Sequence, residues 1–219
     1  MQAAQAAKQQ AKKSQAGQVV GLPFVDDFSY DDFRPNPNLW ADDQVYINQT
    51  MAISPITIGV ATFDGLNRHG QAYNLDRNTT TGTDTLTSLF IDLGNTQDST
   101  YLSFYYEPGG HGERPVSSDS LLLEFWNKGD TAWHYAWGAK GRAPFNRFLQ
   151  AMVKVDSQYL NNEFRFRFIS YGSPAGAFDH WHLDYVKLDD NRRFDDTITQ
   201  DIAYTRPHPS LLRNYEAIP

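Results

Sequence analysis

From Val19 onward the chain is a succession of short runs in which apolar and polar side chains alternate, each broken by Gly, Pro, Asn or Asp. A two-residue alternation bounded by turn formers predicts half-buried strands. The clearest are 99–108 (STYLSFYYEP), 119–128 (DSLLLEFWNK), 131–138 (TAWHYAWG), 147–155 (RFLQAMVKV) and 163–171 (EFRFRFISY). In the last of these Phe164, Phe166 and Phe168 share one face and Arg165 and Arg167 the other, so one face is core and the other is wet. Asn127-Lys128-Gly129-Asp130 predicts a hairpin between the second and third. Earlier strands are read at 24–30, 44–50, 58–65 and 86–94, with a long loop over 66–84, and a last strand at 178–188.

No helical period runs through this region. About ten short antiparallel strands point to an all-β, two-sheet jelly-roll sandwich over residues 19–190. Residues 1–18, made of Gln, Ala and Lys without a hydrophobic face, predict a disordered or helical N-terminal arm. Residues 191–219 are charged, contain proline and are weakly periodic, as expected of a linker or the start of a following region. The abrupt stop after Ile218-Pro219 leads to the expectation of a longer protein.

Composition sharpens this picture. Aromatics make up 14% of the chain, including fourteen Phe and twelve Tyr, which favour pleated surfaces. The absence of cysteine excludes disulfides and thiolate metal sites. A net charge of -7 without a basic stripe argues against a nucleic-acid partner. No apolar run reaches the roughly 18 residues of a membrane-spanning helix. The N-terminus has early lysines but no apolar stretch, so an extracellular or cell-surface location presumes a signal peptide missing from this sequence.

Several enzyme classes lack their motifs. No E-x-D-x-x-E pair of glycosidase carboxylates, no G-x-S-x-G and no G-x-x-x-x-G-K occurs. Glu107, Glu113, Glu124 and Glu163 stand apart and read as surface residues, and Ser173 falls in a turn-rich loop. Two features remain. In FDHWHLDYVKL (178–188), His180 and His182 fall on one strand face with the geometry of a zinc pair, but no other histidine is spaced to complete it. The apolar alternation of Trp181 and Leu183 resumes out of phase at Val186 and Leu188, which predicts a bulge across Asp184-Tyr185. The second feature is the aromatic hairpin carrying Trp126, Trp133, Tyr135 and Trp137, with His111 in the glycine-rich loop 107–115 at its rim. Exposed, such rings stack on sugars; buried, they are sandwich core.

The order of segments FVDDFSYDDFRPNPNLW, GVATFDGLNRHGQAYN, DTLTSLFIDLGN, STYLSFYYEPGG, DSLLLEFWNKGDTAWHYAWG and FRFRFISYGSPAGAFDHWHLDYVKL resembles MAM-like, concanavalin-type jelly rolls. It is closer still to surface-exposed or secreted proteins of gliding, type IX-secreting Bacteroidota. The resemblance covers roughly 22–190, and its most specific part is the closing strand with Trp181, Leu183, Asp184 and Val186. Animal-receptor MAM modules carry disulfides, which this chain lacks, so the resemblance speaks to fold. It implies a structural calcium between Asp184 and the first-strand Asp26 and Asp27, a hard-oxygen set suited to that ion. The expected function is a non-catalytic extracellular adhesion or carbohydrate-binding module, calcium-stabilised, with a glycan or cell-surface protein as partner. The competing expectation is a protein-interaction domain of a secretion or gliding-motility assembly, and a third is a hydrolase accessory domain.

Overall fold

The structure, a computed structural model, describes residues 18–196 apart from Arg77 and Ala143. The predicted arm, except Gln18, and the predicted extension beyond residue 196 therefore lie outside the described residues. Twelve strands follow in order: β1 (Val19–Val20), β2 (Phe24–Asp26), β3 (Tyr46–Asn48), β4 (Val60–Phe63), β5 (Thr81–Thr87), β6 (Phe90–Ile91), β7 (Tyr101–Pro108), β8 (Ser120–Asn127), β9 (Ala132–Lys140), β10 (Leu149–Lys154), β11 (Phe166–Gly172) and β12 (Trp181–Asp189). Among the described residues the helical content is one 3-10 turn at Ser157–Tyr159.

Two antiparallel sheets make a sandwich. The six-stranded sheet runs β10-β7-β12-β4-β3, with β2 also on β12, and the four-stranded sheet runs β5-β11-β8-β9. A small parallel pair joins β1 to β6. Alternation explains the core: Leu102 and Phe104, Trp181 and Leu183 from one sheet face Leu121, Leu123, Phe125, Phe166 and Phe168 from the other, all buried. The aromatic residues interlock edge to face, as in Phe104 with Phe168 (4.8 Å) and Phe24 with Trp40 (5.3 Å), the arrangement ring quadrupoles prefer.

Two sequence expectations need correction. Thr81–Thr87 is a strand rather than the end of a long loop, because it pairs with β11 along its length. The single run 86–94 is split, β5 serving the four-stranded sheet and Phe90–Ile91 pairing with β1. The bulge in the closing strand is present: β12 shifts register against β7 between Asp184 and Lys187, and Tyr185 takes φ 47°. The extra residue lets His182, Asp184 and Lys187 share the outer face while Leu183, Val186 and Leu188 stay in the core.

Candidate functional site

The outer face of the four-stranded sheet carries a row of side chains from one edge to the other. Tyr135 on β9 is opposite Glu124 on β8, Glu124 is opposite Arg167 on β11, and Arg167 is opposite Thr87 on β5. Asp42, in the loop before β3, closes the row by accepting the Thr85 and Thr87 hydroxyls and the Thr87 N–H. At a strand spacing of about 4.8 Å the four strands alone give this row a length of about 14 Å. The Arg167 Nε donates to Glu124 Oε2 at 2.6 Å, and both side chains remain partly exposed.

An aromatic row runs beside it. Trp126 and Trp133 are register partners whose rings meet edge to face at 5.4 Å. The Arg167 guanidinium lies 4.5 Å over the Trp133 ring, so the cation is fixed by a ring on one side and a carboxylate on the other. Tyr135 is 67% exposed. Its ring lies along the strand above Gly138, where a Cβ would come within 3.2 Å of the ring and 2.6 Å of Leu122. Glycine at this position therefore leaves the ring its place on the face. Chemically, the face combines exposed aromatic surface with oriented donors and acceptors.

Three of the five residues expected to bind ligand, Trp126, Trp133 and Tyr135, are thus brought together. Trp137 is not among them. A register shift in β9 puts Tyr135 opposite Glu124 but Trp137 opposite Leu123, so Ala136 is the extra residue and Trp137 turns inward onto Phe104 (4.9 Å) and Tyr106 (4.8 Å). His111 belongs elsewhere too: its N–H donates to Met51 O in the loops over the other sheet. Glu124, Arg167, Thr87 and Asp42 were missed by the sequence reading. The alternation of EFRFRF did place the arginines on a wet face, but their alignment with Glu124 depends on the register of three strands.

The outer face of the six-stranded sheet is occupied by the chain itself. Segment 49–57 crosses it, with Ile53 N–H donating to Glu107 Oε2 (2.8 Å) and the Ile56 and Thr57 N–H groups donating to Asp184 Oδ2 (2.8 Å each). Glu107, expected at the surface, is fully buried, and its Oε1 has no partner. Burial pushes its carboxyl up to about 7, against the pull of the Ile53 bond. Burial likewise raises Asp184 to about 7, although the Thr57 and Ile56 bonds act the other way.

The histidine pair is part of this covered face. Asn48 Nδ2 donates to Thr62 Oγ1 (2.6 Å), leaving the Thr62 hydroxyl hydrogen for His182 Nδ1 (2.9 Å) and the Nε2 hydrogen for Gly109 O (3.2 Å). Both ring nitrogens of His182 are engaged, and burial lowers its pKa to about 4. His180 Nδ1 accepts the Glu113 N–H at 3.1 Å. Gly110, at φ 57°, lets the loop press on His182, since a Cβ there would sit 2.3 Å from Nε2.

The three aspartates expected to share an ion each have protein donors. Asp26 accepts from Phe28 N–H (2.9 Å) and Trp40 Nε1 (2.6 Å), and burial raises its pKa to about 6. Asp27 Oδ1 accepts from Ser29 N–H (3.1 Å). Asp184 does reach the first strand, but through Thr57, whose hydroxyl lies 2.8 Å from Asp184 Oδ1 and 2.6 Å from the Asp27 carbonyl oxygen. A cation placed between them would have to displace that hydroxyl. Among the described residues no group of three or more His, Asp or Glu is gathered to hold a metal ion.

No protein family model matches the chain, and no curated protein matches it. Solved structures do resemble it. The CBM22-1 xylan-binding domain of Paenibacillus barcinonensis Xyn10C aligns at TM-score 0.47 and 10% identity, covering 81% of this chain and 99% of that one. A CBM28 carbohydrate-binding module specific for non-crystalline cellulose aligns at 0.41 and 8% identity, covering 67% and 81%. A cleaved adhesin domain of Lys-gingipain from Porphyromonas gingivalis aligns at 0.41 and 11% identity, covering 60% and 73%.

Proposed function

We propose that the chain is a non-catalytic glycan-binding module of a secreted or cell-surface protein, built on a jelly-roll-type sandwich. It holds a polysaccharide segment across the outer face of its four-stranded sheet. The observation that carries this reading is the outward aromatic group of exposed Tyr135 and half-buried Trp126 and Trp133, set beside the polar side chains of Glu124, Arg167 and Asp42. Sugar rings offer an apolar face of C–H groups and an equatorial rim of hydroxyls. The aromatic row stacks on the first, while Glu124 and Arg167, preorganised by their own 2.6 Å bond, exchange hydrogen bonds with the second. The length of the row suits an oligosaccharide segment rather than a single sugar.

Affinity electrophoresis through gels containing soluble polysaccharides tests the proposal. Retardation by at least one neutral polysaccharide is expected, and Trp133→Ala abolishes it. A folded protein retarded by none, yet captured through the same face by a protein partner, would favour the interaction-domain reading.

A further inference from the structure

Next to Asp42, at the end of the polar row, Asp43 turns to a different set of partners. Its Oδ1 accepts from Arg68 Nη1 at 3.1 Å, and its carbonyl accepts from Arg34 Nη1 at 3.2 Å. Arg34 Nη2 in turn donates to the Arg68 carbonyl at 2.9 Å. The two guanidinium groups are thereby fixed in the wall of a cleft of about 300 Å³ that Phe33, Tyr46, Asp64 and Asn67 also line. That volume is at the lower end of small-molecule sites, roughly 300–1,000 Å³.

Three features of the cleft are not explained by folding. The Arg68 side chain stays 31% exposed in the cleft wall although Asp43 holds its Nη1, so a fixed guanidinium still presents surface to the cleft. Phe33 is 62% exposed, with Arg34 stacked 4.8 Å from its centroid, so an aromatic group is held at the cleft rim. Asp64 lines the cleft as an acceptor, its Oδ1 held by the Leu66 N–H at 2.9 Å. Donors and acceptors thus both face the cleft. Two arginines, Arg34 and Arg68, are balanced by two aspartates, Asp43 and Asp64. A carboxylate ligand would meet Asp64 and an ammonium ligand would meet two guanidinium groups. A neutral polyol meets neither conflict, because each hydroxyl can accept from Arg68 and donate to Asp64.

We infer that this cleft binds one uncharged sugar residue, held by its hydroxyls between Arg68 and Asp64 with its ring against Phe33. The ligand class rests on the glycan reading above, and the site is separate from the aromatic face.

The test is an amide and indole N–H NMR titration of the full chain with methyl glycosides of xylose, glucose, mannose, galactose and fucose. Glucuronic acid and glucosamine serve as charged counterparts. Each is added to about 10 mM, enough to fill a site with a Kd of about 1 mM. At least one neutral glycoside is expected to shift the amides of Arg34, Tyr46 and Asn67 without moving the Trp126 and Trp133 indole signals. Arg68→Met and the surface variant Phe33→Ala each weaken that binding about tenfold, a loss of about one good hydrogen bond or ring contact. No shift with any glycoside, unchanged shifts in both variants, or tighter binding of a charged counterpart overturns the inference. Polysaccharide retention with a silent cleft removes this site alone; cleft shifts without retention remove the aromatic-face reading alone.

Discussion

Asp184 and Thr57, 127 residues apart in sequence, meet twice: Asp184 Oδ2 accepts the Thr57 N–H at 2.8 Å, and Asp184 Oδ1 lies 2.8 Å from the Thr57 hydroxyl. That hydroxyl has one hydrogen and, besides Asp184, the Asp27 carbonyl at 2.6 Å and the more distant Gly59 carbonyl at 3.4 Å as oxygen neighbours. The arrangement closes without conflict when Asp184 is protonated on Oδ1, donates to Thr57, and leaves the Thr57 hydrogen for Asp27. Burial, which raises the Asp184 pKa to about 7, acts in the same direction.

Asn reproduces a protonated aspartate, with an oxygen for the Ile56 and Thr57 N–H groups and an NH2 for the Thr57 hydroxyl. Asp184→Asn is therefore expected to unfold within about 1 kcal/mol of wild type at pH 7, whereas Asp184→Ala loses about 3 kcal/mol by leaving the Ile56 and Thr57 N–H groups and the Thr57 hydroxyl oxygen without their partner. Urea unfolding of both variants checks this. A large loss for Asn as well as Ala would point to a role that needs the negative charge, such as holding a cation.

Stability should fall as pH rises through neutrality. Burial raises the pKa values of Asp26 to about 6 and of Asp84, Glu107 and Asp184 to about 7. The folded chain therefore holds more protons on these groups than the unfolded chain between about pH 4 and 7. The stability they contribute is fully present below the unfolded pKa values and is lost as pH rises through the folded ones. His182, lowered by burial to about 4, acts oppositely, its contribution vanishing as pH falls from 6.5 toward 4. His180 is shifted in the same direction, also by burial. Four carboxyls outweigh two imidazoles across about pH 4–7, so Tm is expected to be highest at the acid end of that window and to drop by about 5 °C or more toward pH 8. A scan of Tm against pH that rises to pH 8 would contradict this.

The two tryptophans of β9 should behave as opposites. Trp137 packs on Phe104 and Tyr106, so Trp137→Ala costs about 3 kcal/mol or more of stability. Trp133 faces outward beneath Arg167, so Trp133→Ala changes stability by about 1 kcal/mol or less and removes ligand binding instead. Thermal melts run beside binding assays separate the two.

His182 is expected to stay neutral, with the hydrogen on Nε2, down to about pH 5, because Thr62 donates to Nδ1 and Gly109 accepts from Nε2. Long-range 1H–15N spectra of the imidazoles report the tautomer directly. A ring titrating near 6.5 would show that segment 49–57 and the loop after β7 do not seal this face.

These residues also show what a sequence can and cannot reveal. Phe164, Phe166 and Phe168 were legible as core because strict alternation leaves no other face for them. The bulge at Tyr185 was legible because it breaks that alternation, shifting the apolar phase from Leu183 to Val186. The bulge at Ala136 was not: Trp133, Tyr135 and Trp137 alternate perfectly as letters, and only the pairing of β8 with β9 reveals that the last ring faces inward. Residues 81–84 read as loop because Gly82 and Asp84 suggest one; pairing with β11 supplies the missing reason for a strand. Burial of Glu107 was invisible, since what covers it is Ile53, placed by tertiary structure alone.

Trp133, Tyr135, Glu124 and Arg167 are proposed to form a glycan-binding face. The most direct measurement is affinity electrophoresis of wild type and a Trp133→Ala/Tyr135→Ala double variant in gels of xylan, mixed-linkage β-glucan, glucomannan and galactan, with melting curves recorded for both. Wild type is expected to be retarded in at least one gel, and the variant, melting within a few degrees of wild type, to lose the retardation by about tenfold or more in affinity. Retardation that survives the loss of both rings, or a folded wild-type protein that none of the gels retards, would contradict it.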